Sequence, residues 1–456
     1  MRRVVKVSRI RIIITIIVVV LTTLLTGCTG KEPNEIAYVV ALGIDSTDDD
    51  NYKITIQYAN TTQISGGASE SGGKAGSEIV DNVTIEAPNI YAGVGLANNI
   101  VSKSFSMSHA KLIVFSKEIA EKGVKDMIET LVRSEEIRPD VFIAVANTTA
   151  NDYLTSVNPE MEVNPAQYYQ LIYQKNQLVG IPDGQLREFF TGLYTDNYDS
   201  ILPVAGVIEG SGGNSQNDDK GQSKDGQNEG SEGSSESLDS FESKSSNEKD
   251  ENEKEKDAEK NTSKYEYDIK NYIGGETTIE KKNKAEAIGA AVFEKDKMVG
   301  ELGEVETEIC KMLKGDYTYS YLTYYNNDTP DIPITVKTTQ QKKPKYKIDT
   351  DKKTVDIELY IESDLYSLPA DYNVENKIED FERDVANYTS SACTEFINNF
   401  TKKYNSDILK LNEKVKYNFL TNNQYNWFKK NVGWSEYKFS VCTNFKVRRT
   451  GLIVRE

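Results

Sequence analysis

Apolar and polar positions alternate with a period of two over several short stretches in the first half of the chain. In "YKITIQYA" (52–59) Tyr52, Ile54, Ile56 and Tyr58 share one face, "IAYVVALGID" (36–45) is equally β-rich, and the turn-forming "STDDDN" between them predicts a hairpin. "IVDNVTIEA" (79–87) reads as a further strand, followed by a helix over 89–100 started by Pro88. "AKLIVFS" (110–116) is a short apolar strand, and Ser116 is placed to cap a helix over 117–133 whose stripe is Ile119, Val124, Ile128, Leu131 and Val132. "VFIAVAN" (141–147) gives another strand, and short helices are expected over 149–195. This alternation predicts an α+β arrangement or a mixed sheet flanked by helices.

The second half repeats these signals. "AIGAAVFEKDKMVGEL" predicts two strands around Glu294-Lys295-Asp296-Lys297, and "EVETEICKMLKG" predicts a helix stopped by Gly315. "IPITVKT" (332–338), "KPKYKID" (343–349) and "TVDIELYIES" (354–363) continue a sheet. Ile378, Phe381, Val385, Ala392, Phe396, Phe400, Tyr404 and Ile408 recur at helical spacing over 376–411, a helix of roughly 35 residues and about 50 Å that would lie across the sheet. A last strand over 437–452 puts Phe439, Val441, Phe445 and Val447 on one face. The fold class is α+β, with several mixed-sheet and helix domains.

Between the halves the pattern disappears. Residues 209–264 have almost no apolar side chains and carry about half of the net charge of −17, so burial cannot offset the entropy of ordering them. The expected division is a disordered acidic linker over 209–286, an N-terminal domain over 28–208 with two subdomains possible in it, and a C-terminal α+β domain over 287–456.

The first residues have a different logic. Arg2, Arg3, Lys6, Arg9 and Arg11 precede an uncharged apolar run from Ile12 to Leu25, and Leu25-Thr26-Gly27-Cys28 follows. A basic head, about 14 apolar residues and then small residues have the layout of an export signal, and the run is short for a span of about 20. Residues 1–27 are therefore expected to be a lipoprotein signal peptide. The Cys28 thiol would accept a diacylglyceryl group and become the new N-terminus. The other reading is an uncleaved anchor from Val4 with snorkelling basic residues. Both place the rest of the chain outside the cytoplasm.

Candidate chemistry is sparse. Cys310, Cys393 and Cys442 are an odd, widely spaced set that permits at most one disulfide, and no CxxC or Cys/His cluster offers a zinc site. His109 is the only histidine, which rules out a multi-histidine metal site and leaves a Ser/His/Asp or Cys/His apparatus one residue to use. Asp45, Thr47 and Asp49 match the first, third and fifth positions of an EF-hand loop, but Asp50 replaces its glycine and Ile56 its bidentate glutamate, so a solvated acidic turn is expected. Gly93 and Gly95 lack the third glycine of a phosphate loop. Trp427 and Trp434 are weighed as a ligand shelf against core packing, and core packing is expected. Glu135-Glu136 and the carboxylates of 304–308 have no cleft assigned to them. No basic patch with interleaved aromatics is found, so nucleic acid is not an expected partner. No cofactor, metal or catalytic residue is expected.

Several of these segments together resemble one family. "LTGCTGKEPNEIAYVVALGID", "MSHAKLIVFSKEIAEKGVKDMIETLVRSEEIRPDVFIAVA", "AAVFEKDKMVGELGEVET", "NNFTKKYNSDILKLNEKV" and the terminal "VRRTGL" resemble, in this order, the Ger(x)C family, lipoprotein C subunits of spore germinant receptors. The chain departs from the family at Thr29-Gly30-Lys31, where Trp with Asp or Arg is usual, in the Gly/Ser-rich loop over 65–77, and in the length of the linker. The resemblance implies a non-enzymatic α+β lipoprotein on the outer face of the spore inner membrane, held in the bilayer through diacylglyceryl-Cys28. It implies the A and B membrane subunits of the receptor as partners, and a structural role for His109. The charged face of the long helix, with Glu379, Arg383, Asp384, Lys402 and Lys403, is the surface expected to be left for partners. A solute-binding lipoprotein of an uptake system is the alternative, and a surface hydrolase is the third reading.

Overall fold

The strand signals of the first half assemble into one sheet that continues past the acidic segment. The computed structural model describes residues 13–17, 35–49, 51–59, 80–159, 162, 164–174, 180–195, 197–208, 271–277, 283–325, 333–367, 377–404, 406–431 and 433–450. Strands β1 (Ile36–Ser46), β2 (Tyr52–Ala59) and β3 (Val80–Ala87) form an antiparallel meander. α1 (Ile90–Ala97) and the short β4 (Ser104–Ser106) follow. β5 (Leu112–Ser116), β6 (Phe142–Ala146) and β7 (Ile201–Val207) then add in parallel, in the order β1-β5-β6-β7. Their connections carry α2 (Lys117–Lys122), α3 (Lys125–Val132), α4 (Ala150–Ser156), α5 (Pro165–Gln174) and α6 (Leu186–Thr195).

β8 (Ala285–Glu294) and β9 (Lys297–Leu302) complete this nine-stranded sheet as an antiparallel hairpin beside β7. The sequence-based line at residue 287 therefore runs through a sheet, and the expected linker is too long at its end. Residues 271–277 are tied to the fold: Gly274 N donates to Ile288 O at 3.0 Å, Glu304 N to Tyr272 O at 2.8 Å, and Val305 N to Asn271 Oδ1 at 3.0 Å. The described residues on both sides of 209–270 belong to one compact unit.

The parallel strands are buried on both faces, and their period of two sorts side chains between two cores. Ile113, Phe115, Ile143 and Val145 pack under α2, α3 and α6, whereas Leu112, Val114, Phe142 and Ala144 pack with Tyr153, Leu154, Tyr169 and Tyr173 of α4 and α5. The predicted helix over 117–133 is two helices. Gly123 breaks it with φ 123°, a left-handed-region angle that favours glycine, and Val124 N donates to Asp296 O in the β8–β9 turn at 3.0 Å.

After α7 (Glu304–Lys314), closed by Gly315 at φ 82° as predicted, a five-stranded sheet forms from β10 (Tyr319–Tyr325), β11 (Pro333–Gln340), β12 (Lys345–Asp349), β13 (Thr354–Ser367) and β14 (Lys438–Arg449). β10 was not among the sequence-predicted strands; its Tyr-rich "YSYLTYY" lacks clean alternation. α8 (Ile378–Lys403) packs along β14, which runs parallel to β13. Ser390, Thr394 and Asn398, one helical turn apart, accept from the backbone N–H groups of Thr443, Val441 and Phe439 at 2.9–3.1 Å, and Glu382 accepts from Val447 N at 2.8 Å. A row of helix side chains thus occupies the open edge of β14.

α8 is shorter than predicted: 26 residues, about 39 Å, not roughly 35. Tyr404 is extended (φ −120°, ψ 133°), and the chain turns through Ser406 and Asp407 into tertiary hydrogen bonds before α9 (Leu411–Val415) and α10 (Asn422–Asn431). Tyr404 and Ile408 kept the helical period because both are buried, although neither is in a helix. Glu379, Arg383, Lys402 and Lys403 of the predicted charged face are exposed, and Asp384 is half-buried.

Candidate functional site

Two aspartates 208 residues apart meet where α8 ends. Asp199, in the segment entering β7, accepts from Lys295 N at 2.9 Å and from Asp407 N at 2.8 Å, and its own N–H donates to Asp407 O. Asp407 accepts from Leu411 N and Asn412 N, both at 2.8 Å, so its carboxylate faces the first turn of α9. Ser406 Oγ donates to Phe293 O at 2.9 Å, joining the same turn to the end of β8. Burial pushes the Asp407 carboxyl up to about 7 against the pull of its amide donors, and it raises Asp199 as well. Lys414 is pushed down to about 8 by burial, and its ammonium donates to Leu409 O.

An open cleft of about 550 Å³ lies over this junction, lined among others by Tyr198, Asp199, Lys295, Tyr404, Lys429 and Trp434. A second cleft of about 390 Å³ shares Tyr198 and Asp199 with it and extends to Lys314 and Lys410. Lys410 pairs with Glu188 at 3.2 Å and lies 4.1 Å from the Tyr198 ring centroid, and Lys429 donates to Thr195 O and Asn197 Oδ1 at 2.9 and 3.1 Å. The acceptor sites of both aspartates are taken by backbone donors of the fold, and the lysines bridge α6 to α9 and α10. The arrangement is a clasp between segments far apart in sequence.

The residues singled out from sequence lie elsewhere. Cys28 and the Gly/Ser loop are outside the described residues. His109 is exposed, with Nδ1 3.0 Å from Ser108 Oγ and its ring 4.8 Å from Tyr38 in an edge contact. Asp45 is buried and accepts from Ala150 N at 2.6 Å and Asn151 N at 3.0 Å, which commits it to the start of α4 and not to an ion. Thr47 Oγ1 lies 3.0 Å from Asp49 O and 2.8 Å from Asn51 O, within the acidic turn. Gly93 lets α1 approach Ile54: a Cβ there would stand 2.6 Å from Ile54 Cδ1.

Glu306 accepts from Gly303 N at 3.0 Å and caps α7, while burial pushes the Glu308 carboxyl beside Tyr317 up to about 7. Cys310 and Cys393 are buried free thiols, pushed up to about 11 and 12 by burial, and Cys442 is free and exposed. Trp434 is buried, with Nε1 donating to Asn412 Oδ1 at 3.2 Å. Trp427 corrects the core-packing expectation: it is 68% exposed. Among the described residues no cluster of three or more metal-ligating side chains occurs, and no helix is long and apolar enough to cross a membrane. Sequence reasoning missed Asp199 and Asp407; each precedes an Ile-Leu pair, directly or after one serine, a signal too short to stand out.

Comparison with known proteins covers both halves of this fold. The family described as "Spore germination protein N-terminal domain" matches residues 30–207, and that described as "Spore germination B3/ GerAC like, C-terminal" matches residues 288–451. Spore germination protein KC of Bacillus subtilis (strain 168) is 26% identical over 174 residues, 35% of this chain and 42% of that protein. Putative spore germination protein YfkR of the same organism is 28% identical over 145 residues, 32% of this chain and 37% of that protein. The chain thus spans less than half the length of these relatives. A solved structure described as "Crystal Structure of the GerBC protein" aligns over 89% of this chain and 96% of its own, at 15% identity and a TM-score of 0.47. With both family domains matched in order around the clasp that joins them, the chain belongs to the Ger(x)C family of spore germination proteins.

Proposed function

We propose that this chain is the lipid-anchored C subunit of a nutrient germinant receptor, acting with the receptor's A and B membrane subunits at the outer face of the spore inner membrane. The observation that carries the reading is the ordered match of both spore germination domains, over 30–207 and 288–451. The relatives' own names are those of spore germination proteins. The commitment of Asp45, Asp199, Asp407 and Lys429 to structural hydrogen bonds agrees with a subunit that acts through contacts and not through chemistry. Solute capture calls for two similar lobes, and the nine- and five-stranded sheets are dissimilar in size and pairing.

The anchor is Cys28, behind an apolar run and small residues; a diacylglyceryl group supplies the two chains that stable anchoring needs. Confinement to the membrane raises the effective concentration of the A and B subunits, so weak contacts suffice. The exposed charges Glu379, Arg383, Lys402 and Lys403 of α8 are the surface assigned to those contacts.

One experiment tests both parts. In sporulating cells, metabolic lipid label is expected on the wild type and absent from Cys28→Ala. Charge reversal at Arg383 and Lys402 is expected to keep the label while lowering recovery with the membrane subunits and slowing nutrient-triggered germination. Equal labelling of Cys28→Ala would overturn the anchor, and normal recovery and germination of the reversal variant would overturn the α8 contact.

A further inference from the structure

The two most exposed large apolar side chains among the described residues lie three positions apart. Leu420 is 96% and Tyr417 91% exposed, and Trp427 stands 68% exposed on α10. They are held on an ordered scaffold. Phe419 packs 4.8 Å from Phe428 and 6.1 Å from Tyr425, which presses the segment carrying Tyr417 and Leu420 onto α10. Between Lys410 and Lys430 the chain has five lysines and one glutamate, within a protein of net charge −17. The ammonium groups of Lys416 and Lys429 lie 5.9 and 5.8 Å from the same Tyr425 ring, so the fold gathers charge that the sequence separates by 13 positions. The sequence shows no basic patch with interleaved aromatics; in the fold Lys416 and Lys429 meet at the Tyr425 ring, and the exposed Lys430 lies three positions from Trp427, about one turn along α10.

The location of this patch narrows its partner. β1, β5, β6 and β7 are parallel, with Ala41, Leu112 and Phe142 level and Val145 level with Val204. The chain therefore enters β1 and β7 at the same end of the sheet. Lys429 bonds Thr195 O and Asn197 Oδ1 in the segment entering β7, which fixes α10 at that end. Cys28 precedes Ile36 by eight residues, a reach of at most about 29 Å. Protein interfaces deplete lysine from their cores, whereas Trp and Tyr beside lysines suit the headgroup region of an anionic bilayer.

We infer that the Tyr417, Leu420 and Trp427 patch, with Lys416 and Lys430, rests on an anionic lipid surface and gives the protein a second membrane contact besides Cys28. The inference rests on the membrane-anchored reading and is tested separately from it. Trp427 is its reporter, because the other tryptophan, Trp434, is buried. Full-length protein is reconstituted into phosphatidylglycerol or phosphatidylcholine vesicles containing acyl-brominated lipid, and the emission lost in Trp427→Phe is taken as the Trp427 signal.

In phosphatidylglycerol that signal is expected to move to shorter wavelength and to be quenched. In phosphatidylcholine, or at high salt, it is expected to remain solvent-like. The double variant Lys416→Glu/Lys430→Glu is expected to weaken the patch's affinity for the anionic surface at least about 25-fold, at about a factor of five per lysine lost, and so to abolish most of the quenching. Equal, unquenched emission in both lipids would overturn the inference. So would protection of Trp427 only when the membrane subunits are co-reconstituted, or an equal shift with a soluble polyanion. Lipid label on Cys28 without quenching removes the patch and keeps the anchor; quenching without label does the reverse.

Discussion

The nine-stranded and five-stranded sheets follow the same alternation rule with opposite results. β5 and β6 are buried at every position, because helices cover both faces of the parallel strands. β14 alternates buried and exposed residues through most of its length, and β13 nearly so, because α8 covers one face and the edge while the other face is wet. Stability in the first sheet should therefore reside in side-chain volume on either face. In the second it should reside in one face and in the polar row that closes the edge of β14.

The largest effect expected from this contrast is at Phe115, which is fully buried in the first sheet. Phe115→Ala should cost about 3–5 kcal/mol in urea denaturation. Cys442→Ser, on the wet face of β14, should stay within about 0.5 kcal/mol. Equal costs at the two positions would break the comparison.

The clasp between the halves should respond to pH. Asp407 is held at about 7 in the fold, above its ordinary 3.8, so the protonated form is the one the fold favours. The stability this contributes is fully present below about pH 3.8 and is lost as pH rises through about 7. Asp407 should account for a loss on the order of 2 kcal/mol between pH 5 and 8, with Glu308, also held at about 7, adding to the wild-type loss, and Asp407→Asn, which cannot ionise, should show a flatter profile of Tm against pH. Parallel profiles for the two proteins would place the titration elsewhere.

The smallest effect concerns the edge of β14. Asn398 accepts from Phe439 N and donates to Phe439 O at 3.0 Å, whereas its neighbour Asn399 is exposed. Asn398→Ala should cost about 1–2 kcal/mol and Asn399→Ala close to nothing in the same denaturation assay. If both are silent, the helix covers the edge without holding it.

The physics of what was legible is local. The hairpin at Glu294–Lys297, the Ser116 cap and the Gly315 stop each depend on a few adjacent residues, and all three stand in the structure. The end of α8 was illegible because Tyr404 and Ile408 are buried at positions that a continuing helix would also have buried. The break at Gly123 was illegible because its cause includes Asp296, 173 residues later. Trp427 was misread because an aromatic residue in a helical run carries no mark of which side will be covered.

By itself, the sequence determined the family, the α+β class and most strands, since these rest on periodicity, capping and motif order over short spans. Only the tertiary structure decided that β8 and β9 join the first sheet, that Asp199 meets Asp407, and that lysines 13 positions apart share one tyrosine ring. Those pairings bring together residues that no local pattern links. Which of many distant partners a segment takes depends on the burial and hydrogen bonding of the whole chain at once.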